Sequence, residues 1–178
     1  MTIRKTSDIG SISIRSKSRK VSDYCSPSVR KIIKDLTDTM RKENLVGISA
    51  PQIGVSERIF VSEIRNTTYR KNVAKEDNLR VFINPEIISQ SNKKIDGYEG
   101  CGSVASAGLF GPVKRHVSIK VRAFDEKGEK FELEAKGFLA RIIQHEIDHL
   151  NGIVFIDRVT NTKKLLGREE YIKRQGKK

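Results

Sequence analysis

A chain of 178 residues suits one domain rather than two and can bury a core without disulfide staples. At 37% hydrophobic and 32% charged it reads as a soluble globular protein, with no apolar run near the about 20 residues of a membrane span and no secretory signal. The net charge of +13 invites a nucleic-acid reading. Yet residues 32–162 hold 20 basic and 18 acidic side chains, so the excess sits at the ends, eight against two over 1–31 and seven against two over 163–178.

Residues 1–25, rich in Ser, Lys and Arg with Ile at 3, 9, 12 and 14, read as an extended arm. Ser26-Pro27 opens a helix, Ser at the N-cap and Pro in the first turn, and Val29, Ile32, Ile33, Leu36 and Met40 form its apolar stripe. The Gly- and Pro-containing segment 45–54 predicts an irregular loop or bent strand. Strands are expected over 59–64 and 81–88, separated by a polar, mobile stretch at 65–79. Alternation over 117–121 and 131–135 about the turn 125–128 predicts a hairpin. Gly137 precedes a helix ending near Leu150, with Gly152 where a C-terminal cap falls. A strand-like piece at 153–156 and a basic segment, helical through Lys173, complete the chain. Strands first and the main helix afterwards predict an α+β fold, with mixed or antiparallel sheets packed around that helix. The expected organisation is one catalytic domain over 1–160 and a basic helix or tail over 161–178.

The chemistry concentrates in Gln144-His145-Glu146-Ile147-Asp148-His149, an HExxH motif holding two of the three histidines. Four residues apart on a helix, His145 and His149 share a face and can hold one ion, with Glu146 beside it as general base. A catalytic site needs a third protein ligand. Cys101, between glycines at 100 and 102, is the better candidate, and Cys25, in a helix lead-in, is the alternative. A metal-bound thiolate cannot share a disulfide, so both cysteines are expected to be free.

Three separated segments resemble peptide deformylases: Gly47-Ile48-Ser49-Ala50-Pro51-Gln52, Glu99-Gly100-Cys101-Gly102-Ser103 and Gln144-His145-Glu146-Ile147-Asp148-His149-Leu150. The resemblance implies a deformylase-like fold and one divalent ion, Fe(II) with Zn, Ni or Co as alternatives, on Cys101, His145 and His149. The implied reaction removes formate from the N-formylmethionine of new polypeptides. Glu146 would take a proton from water and return it to the leaving amine, while Gln52 and the Gly102 N–H stabilise the oxyanion. Val46, Gly47, Glu99 and Gly100 fall among substrate-binding positions. Phe138 and Ile142, on the His145 face, can line a methionine pocket or be ordinary core. Arg141 lies beside them with its head expected outward, and Arg115 and Asp148 match a supporting pair.

Departures from the family pattern fall at Leu45, usually Gly, at Ser49, usually Ala, and at Gly102, usually Leu. The last predicts less cover over the Cys101 sulfur and easier oxidation. The loop 104–113 differs too and leaves substrate preference beyond methionine open. A deformylase-like hydrolase of altered substrate is the second reading; a nucleic-acid module with a structural Cys/His cluster is the third, disfavoured by ligand spacing and by 6% aromatic content. The chemistry fits a reducing, bacterial-type cytoplasm without a membrane partner. The basic ends are expected to dock ribosomal RNA, and deletion of 163–178 to weaken ribosome binding while sparing deformylation.

Overall fold

The computed structural model of the chain describes residues 2–67, 73 and 75–175. The elements in chain order are α1 (Ile12–Arg15), α2 (Pro27–Lys42), β1 (Gly47–Ser49), β2 (Ile59–Ile64), β3 (Asp77–Gln90), β4 (Lys94–Gly100), β5 (Leu109–His116), β6 (Ser118–Phe124), β7 (Lys130–Lys136), α3 (Gly137–Leu150), β8 (Leu166–Gly167) and α4 (Arg168–Gln175). Short 3-10 turns cover Ala50–Ile53, Ala105–Ala107, Phe155–Arg158 and Thr162–Lys164.

Two antiparallel sheets result, one ordered β1-β2-β3-β6-β7 and the other β4-β5-β8. Helix α2 begins as its sequence dictates: the Ser26 hydroxyl accepts the Val29 N–H at 3.3 Å, with Pro27 in the first turn. It ends where Asn44 turns left-handed at φ 56°. Val29, Leu36 and Met40 are buried against Ile48, Ile59, Val61 and Ile83, and Ile32 and Ile33 flank them half-buried.

Helix α3 has two faces. Ala140, Ile143, Ile147 and Leu150, spaced by three or four, join Phe60, Phe82, Ile119 and Val121 in the core of the first sheet. Phe138, Ile142, His145 and His149 recur on the opposite side. A third cluster of Ile14, Cys101, Val104, Val113, Val154 and Phe155 underlies the second sheet. The main helix is therefore packed between sheets, and its polar face is aimed at Cys101 by hydrophobic burial on the other side.

Several expectations need correction. The piece at 153–156 is no strand: the Asp157 carboxylate accepts the Val154 N–H at 2.9 Å and caps a 3-10 turn that drives Val154 and Phe155 into the core. Strand β4 was invisible because Lys94-Ile-Asp-Gly-Tyr-Glu-Gly100 has no alternation, and β5 begins within the stretch read as a loop at 104–113. Within the polar stretch at 65–79, β3 already starts at Asp77, while residues 68–72 and 74 fall outside the described residues. The C-terminal segment does not trail away. Leu166 and Gly167 pair with Phe110 and Leu109, and the Tyr171 ring stacks on Phe110 at 4.1 Å. The N-terminal arm is mainly extended, interrupted by a turn at Ile9–Gly10 and the single turn α1, and it crosses the site region: Ser7 N–H donates to Gln52 O and Ile9 N–H to Ser103 O, each at 2.7 Å.

Candidate active site

Cys101 follows β4 directly, and His145 and His149 lie one turn apart on α3. Their ligand atoms fall within 4.8 Å of one another, with Cys101 Sγ 3.1 Å from His149 Nε2. Among the described residues this is the one cluster of its kind. The second cysteine, Cys25, is exposed and free, its thiol donating to Lys127 O at 3.3 Å.

Glu99 sets the orientation of His145. Its Oε2 accepts the His145 Nδ1 hydrogen at 2.9 Å, so that Nε2 is the ring nitrogen left to face a metal ion. The same carboxylate accepts two bonds from Arg115, both 2.9 Å, and one from Arg141 at 2.8 Å. Arg115 also pairs with Asp148, which Arg158 grips from the other side. Burial opposes the charge on Glu99, but the Arg115 and His145 hydrogen bonds outweigh it and hold its carboxyl well below the ordinary range.

Gln52 sits in the 3-10 turn after β1. The N–H and hydroxyl of Ser49 both donate to its Oε1, at 2.9 and 3.0 Å, so the amide can point only its Nε2 into the site. That nitrogen lies 3.4 Å from Cys101 Sγ and 3.4 Å from the Ser103 hydroxyl. The Ser103 N–H reaches the same sulfur at 3.4 Å. Ser49, noted in the sequence only as a departure, thus adds a hydrogen bond that Ala could not.

Glu146 is buried and its Oε2 has no hydrogen-bond partner among the described residues. Burial pushes its pKa up to about 7 against the pull of His145. His149 is pushed down by burial and by neighbouring His145, and its Nδ1 is also without a partner. In His145, burial favours the neutral ring, but Cys101 and Glu99 prevail and raise its pKa. An orphaned carboxylate oxygen, Glu146 Oε2, beside converging sulfur and imidazole donors is costly in a core unless something completes it. The donor set fits a divalent ion of intermediate softness.

A family model for polypeptide deformylase matches residues 3–165. The chain belongs to the polypeptide deformylase family. It is 42% identical over 160 residues to the peptide deformylase of Clostridium botulinum, covering 90% of this chain and 99% of that one. Peptide deformylase 1 of Clostridium perfringens is 42% identical over 144 residues, 81% and 89% of the two chains. Among solved structures, the Met-Ala-Ser-bound class I type b peptide deformylase of Acinetobacter baumannii superposes with a TM-score of 0.83 at 34% identity, covering 89% of this chain and 99% of that one.

The expected deformylase positions separate into those that frame the site and those that face away from it. Gly47 on β1 lies against α3: a Cβ there would stand 2.6 Å from Glu146 Oε1 and 2.9 Å from Ile142 Cγ2. Gly100 ends β4, with the Phe110 ring 2.6 Å from where its Cβ would be. Val46 precedes β1, its carbonyl accepting the Glu63 N–H at 3.0 Å. Phe138 is 39% exposed and Ile142 buried, on the His145 face. Two expectations change. Glu99 does not offer its side chain to a substrate, because both oxygens are committed to Arg115, Arg141 and His145. Arg141 does not point outward: its guanidinium turns under β4 and donates to the carbonyls of Ile95, Gly97 and Val113 as well as to Glu99.

The lost cover over the Cys101 sulfur expected from Gly102 has a counterpart in the facing loop. Cys101 is only 3% exposed. Leu45 and Gly102, the two exchanged positions, are neighbours: Leu45 Cδ1 lies 3.6 Å from where a Gly102 Cβ would be. An isobutyl group still covers this spot, delivered from the facing loop. A cavity of about 410 Å³ opens beside Gly102, lined by Lys5, Thr6, Ser7, Asp8 and Ser106.

Proposed function

We propose that this protein removes the formyl group from the N-formylmethionine at the start of new polypeptides, using a divalent ion held by Cys101, His145 and His149. The observation that carries the reading is the convergence of those three donors beside a buried carboxylate on the same helix face. When bound, the ion supplies Lewis acidity, polarising a carbonyl and making water acidic near neutral pH. A thiolate with two imidazoles suits Fe(II), Zn, Ni or Co, and we assign Fe(II) as the native ion.

Glu146 accepts a proton from the attacking water and delivers it to the leaving amine. Its raised pKa, about 7, suits a group that must act as base and then as acid. Gln52 Nε2, its partner oxygen already occupied, and the Gly102 N–H donate to the developing oxyanion. The peptide lies extended along the edges of β1 and β4, at Val46, Gly47 and Gly100, since edge strands accept many sequences through backbone bonds. Phe138 and Ile142 line the methionine pocket. The similar Acinetobacter structure, described with Met-Ala-Ser bound, supports a peptide that begins with methionine.

No helix among the described residues is long and apolar enough to cross a membrane. We place the enzyme in the cytoplasm and its basic ends against a polyanion, ribosomal RNA. Because 161–175 is built onto the second sheet, charge reversal at Lys163, Lys164, Lys173 and Arg174 is a cleaner test than deletion. Salt-sensitive cosedimentation with ribosomes should weaken; unchanged cosedimentation would reduce the charge to a solubilising surface. The function itself is tested by selectivity: the metal-loaded protein should release formate from formyl-Met-Ala-Ser and leave acetyl-Met-Ala-Ser intact. Equal hydrolysis of both, or of neither, would contradict it.

A further inference from the structure

The turn after Cys101 is unusual in its backbone. Ala105, Ser106 and Ala107 have φ of 48°, 50° and 56°, three successive non-glycine residues in the left-handed region. L-residues adopt this region singly and at a cost, so three in a row need support from outside. Part of it is internal: the Ala107 N–H donates to Val104 O at 3.0 Å and Gly108 N–H to Ala105 O at 2.7 Å. The rest comes from the far end of the chain. Arg168 Nη2 donates to Ser106 O at 2.7 Å and to Ala107 O at 3.0 Å, Nε reaches Ala107 O at 3.2 Å, and the Arg168 N–H reaches Gly108 O at 3.0 Å. Arg168 is itself anchored between β8, paired to β5, and Tyr171, stacked on Phe110.

The held turn acts on one peptide plane. The Cys101 carbonyl accepts the N–H groups of Val104 at 3.0 Å and Ala107 at 3.1 Å. That carbonyl belongs to the same trans peptide as the Gly102 N–H, which must point the opposite way. Gly102 lacks a side chain to restrict its own backbone, so the bonds on the carbonyl decide where the N–H aims.

We propose that Arg168 is a positioning residue for the reaction: by clamping the 105–107 turn it fixes the Cys101–Gly102 peptide and aims the Gly102 N–H at the substrate oxygen. This rests on the assignment of that N–H as an oxyanion donor. The C-terminal segment is thereby part of the active enzyme, and its removal does not spare the chemistry.

The test compares Arg168→Ala, Arg168→Lys and Arg122→Ala, the last removing the same charge from a residue whose partner is Glu132 on the neighbouring strand. With wild-type metal content, Arg168→Ala should lower kcat for formyl-Met-Ala-Ser about tenfold, part of the loss expected from deleting an oxyanion donor, and leave KM within about twofold. Hydrogen exchange at the Ala107 amide should accelerate about tenfold in the same variant. Arg168→Lys should fall between, and Arg122→Ala should match the wild type. Unchanged kcat in Arg168→Ala, or an equal loss in Arg122→Ala, would overturn the proposal. Should the wild type release no formate, the functional reading fails, and exchange at Ala107 alone decides: unchanged exchange refutes the clamp, accelerated exchange supports it.

Discussion

Replacing Glu99 with Gln keeps the side chain's shape but removes the charge that Arg115, Arg141 and His145 share. The carboxylate accepts four hydrogen bonds between 2.8 and 2.9 Å in a buried setting. A carboxamide offers one oxygen and turns an NH2 group toward donors, so about half of those bonds are lost. Charge-assisted hydrogen bonds contribute about 1.5–3 kcal/mol each, and breaking a buried pair costs about 3–5 kcal/mol because the partner stays charged. We expect Glu99→Gln to lose about 3–5 kcal/mol in urea unfolding of the metal-free protein at pH 7. Without its partner His145 also loses its fixed tautomer, which predicts a ~10–100-fold weaker affinity in a chelator competition titration. The sign with pH follows from the depressed Glu99 pKa: its stabilisation is complete above its ordinary value of 4.5 and is lost as pH falls through the folded-state value. The gap between wild type and variant should therefore narrow in strong acid. A loss under about 1 kcal/mol with metal affinity within about twofold would refute the hub role of Glu99.

Other outcomes follow from single contacts. Gly47→Ala puts a methyl 2.6 Å from Glu146 Oε1, so kcat should fall at least about tenfold while metal content stays normal; normal kcat would mean that the carboxylate is free to move aside. Glu146, with a folded pKa of about 7 against an ordinary 4.5, stabilises the metal-free fold fully below pH 4.5 and progressively less up to about 7. Glu146→Gln should remove that dependence, about 3 kcal/mol across the window, in urea titrations at several pH values; an unchanged slope would exclude Glu146 as its source. Leu45→Gly uncovers the Gly102 side of the site and should speed inactivation of the Fe(II)-loaded protein by peroxide severalfold. If the rate does not change, cover over the sulfur comes from elsewhere.

How far the sequence could be read differed between the two sheets. The 117–135 hairpin and both long helices carry period-two or period-3.6 patterning, because each buries one face against the first sheet, and their bounds were legible within a residue or so. Strand β4 carries no such pattern: its exposed edge and two glycines follow from the chemistry beside it, where Arg141 and Phe110 occupy the space a Cβ would need. The donors Cys101, His145 and His149 were legible from residue type and spacing. Arg141 was placed near the site but given the wrong facing, and Glu99 was placed there without its partners, since an ion pair across three elements leaves no trace in local spacing. Arg168 was hidden for a related reason. Its partners are backbone carbonyls sixty residues earlier, and carbonyls are the same in every sequence.

The central claim is that one ion on Cys101, His145 and His149 works together with Glu146 to cleave a formamide. It is tested most directly by measuring formate released from formyl-Met-Ala-Ser by wild type and by Glu146→Ala, each loaded anaerobically with Fe(II) and each assayed for bound metal. The account predicts one ion in both proteins, one formate per free amine from the wild type, and a loss of at least about a hundredfold in the variant. No formate from the metal-loaded wild type, or near-normal turnover in Glu146→Ala, would contradict it.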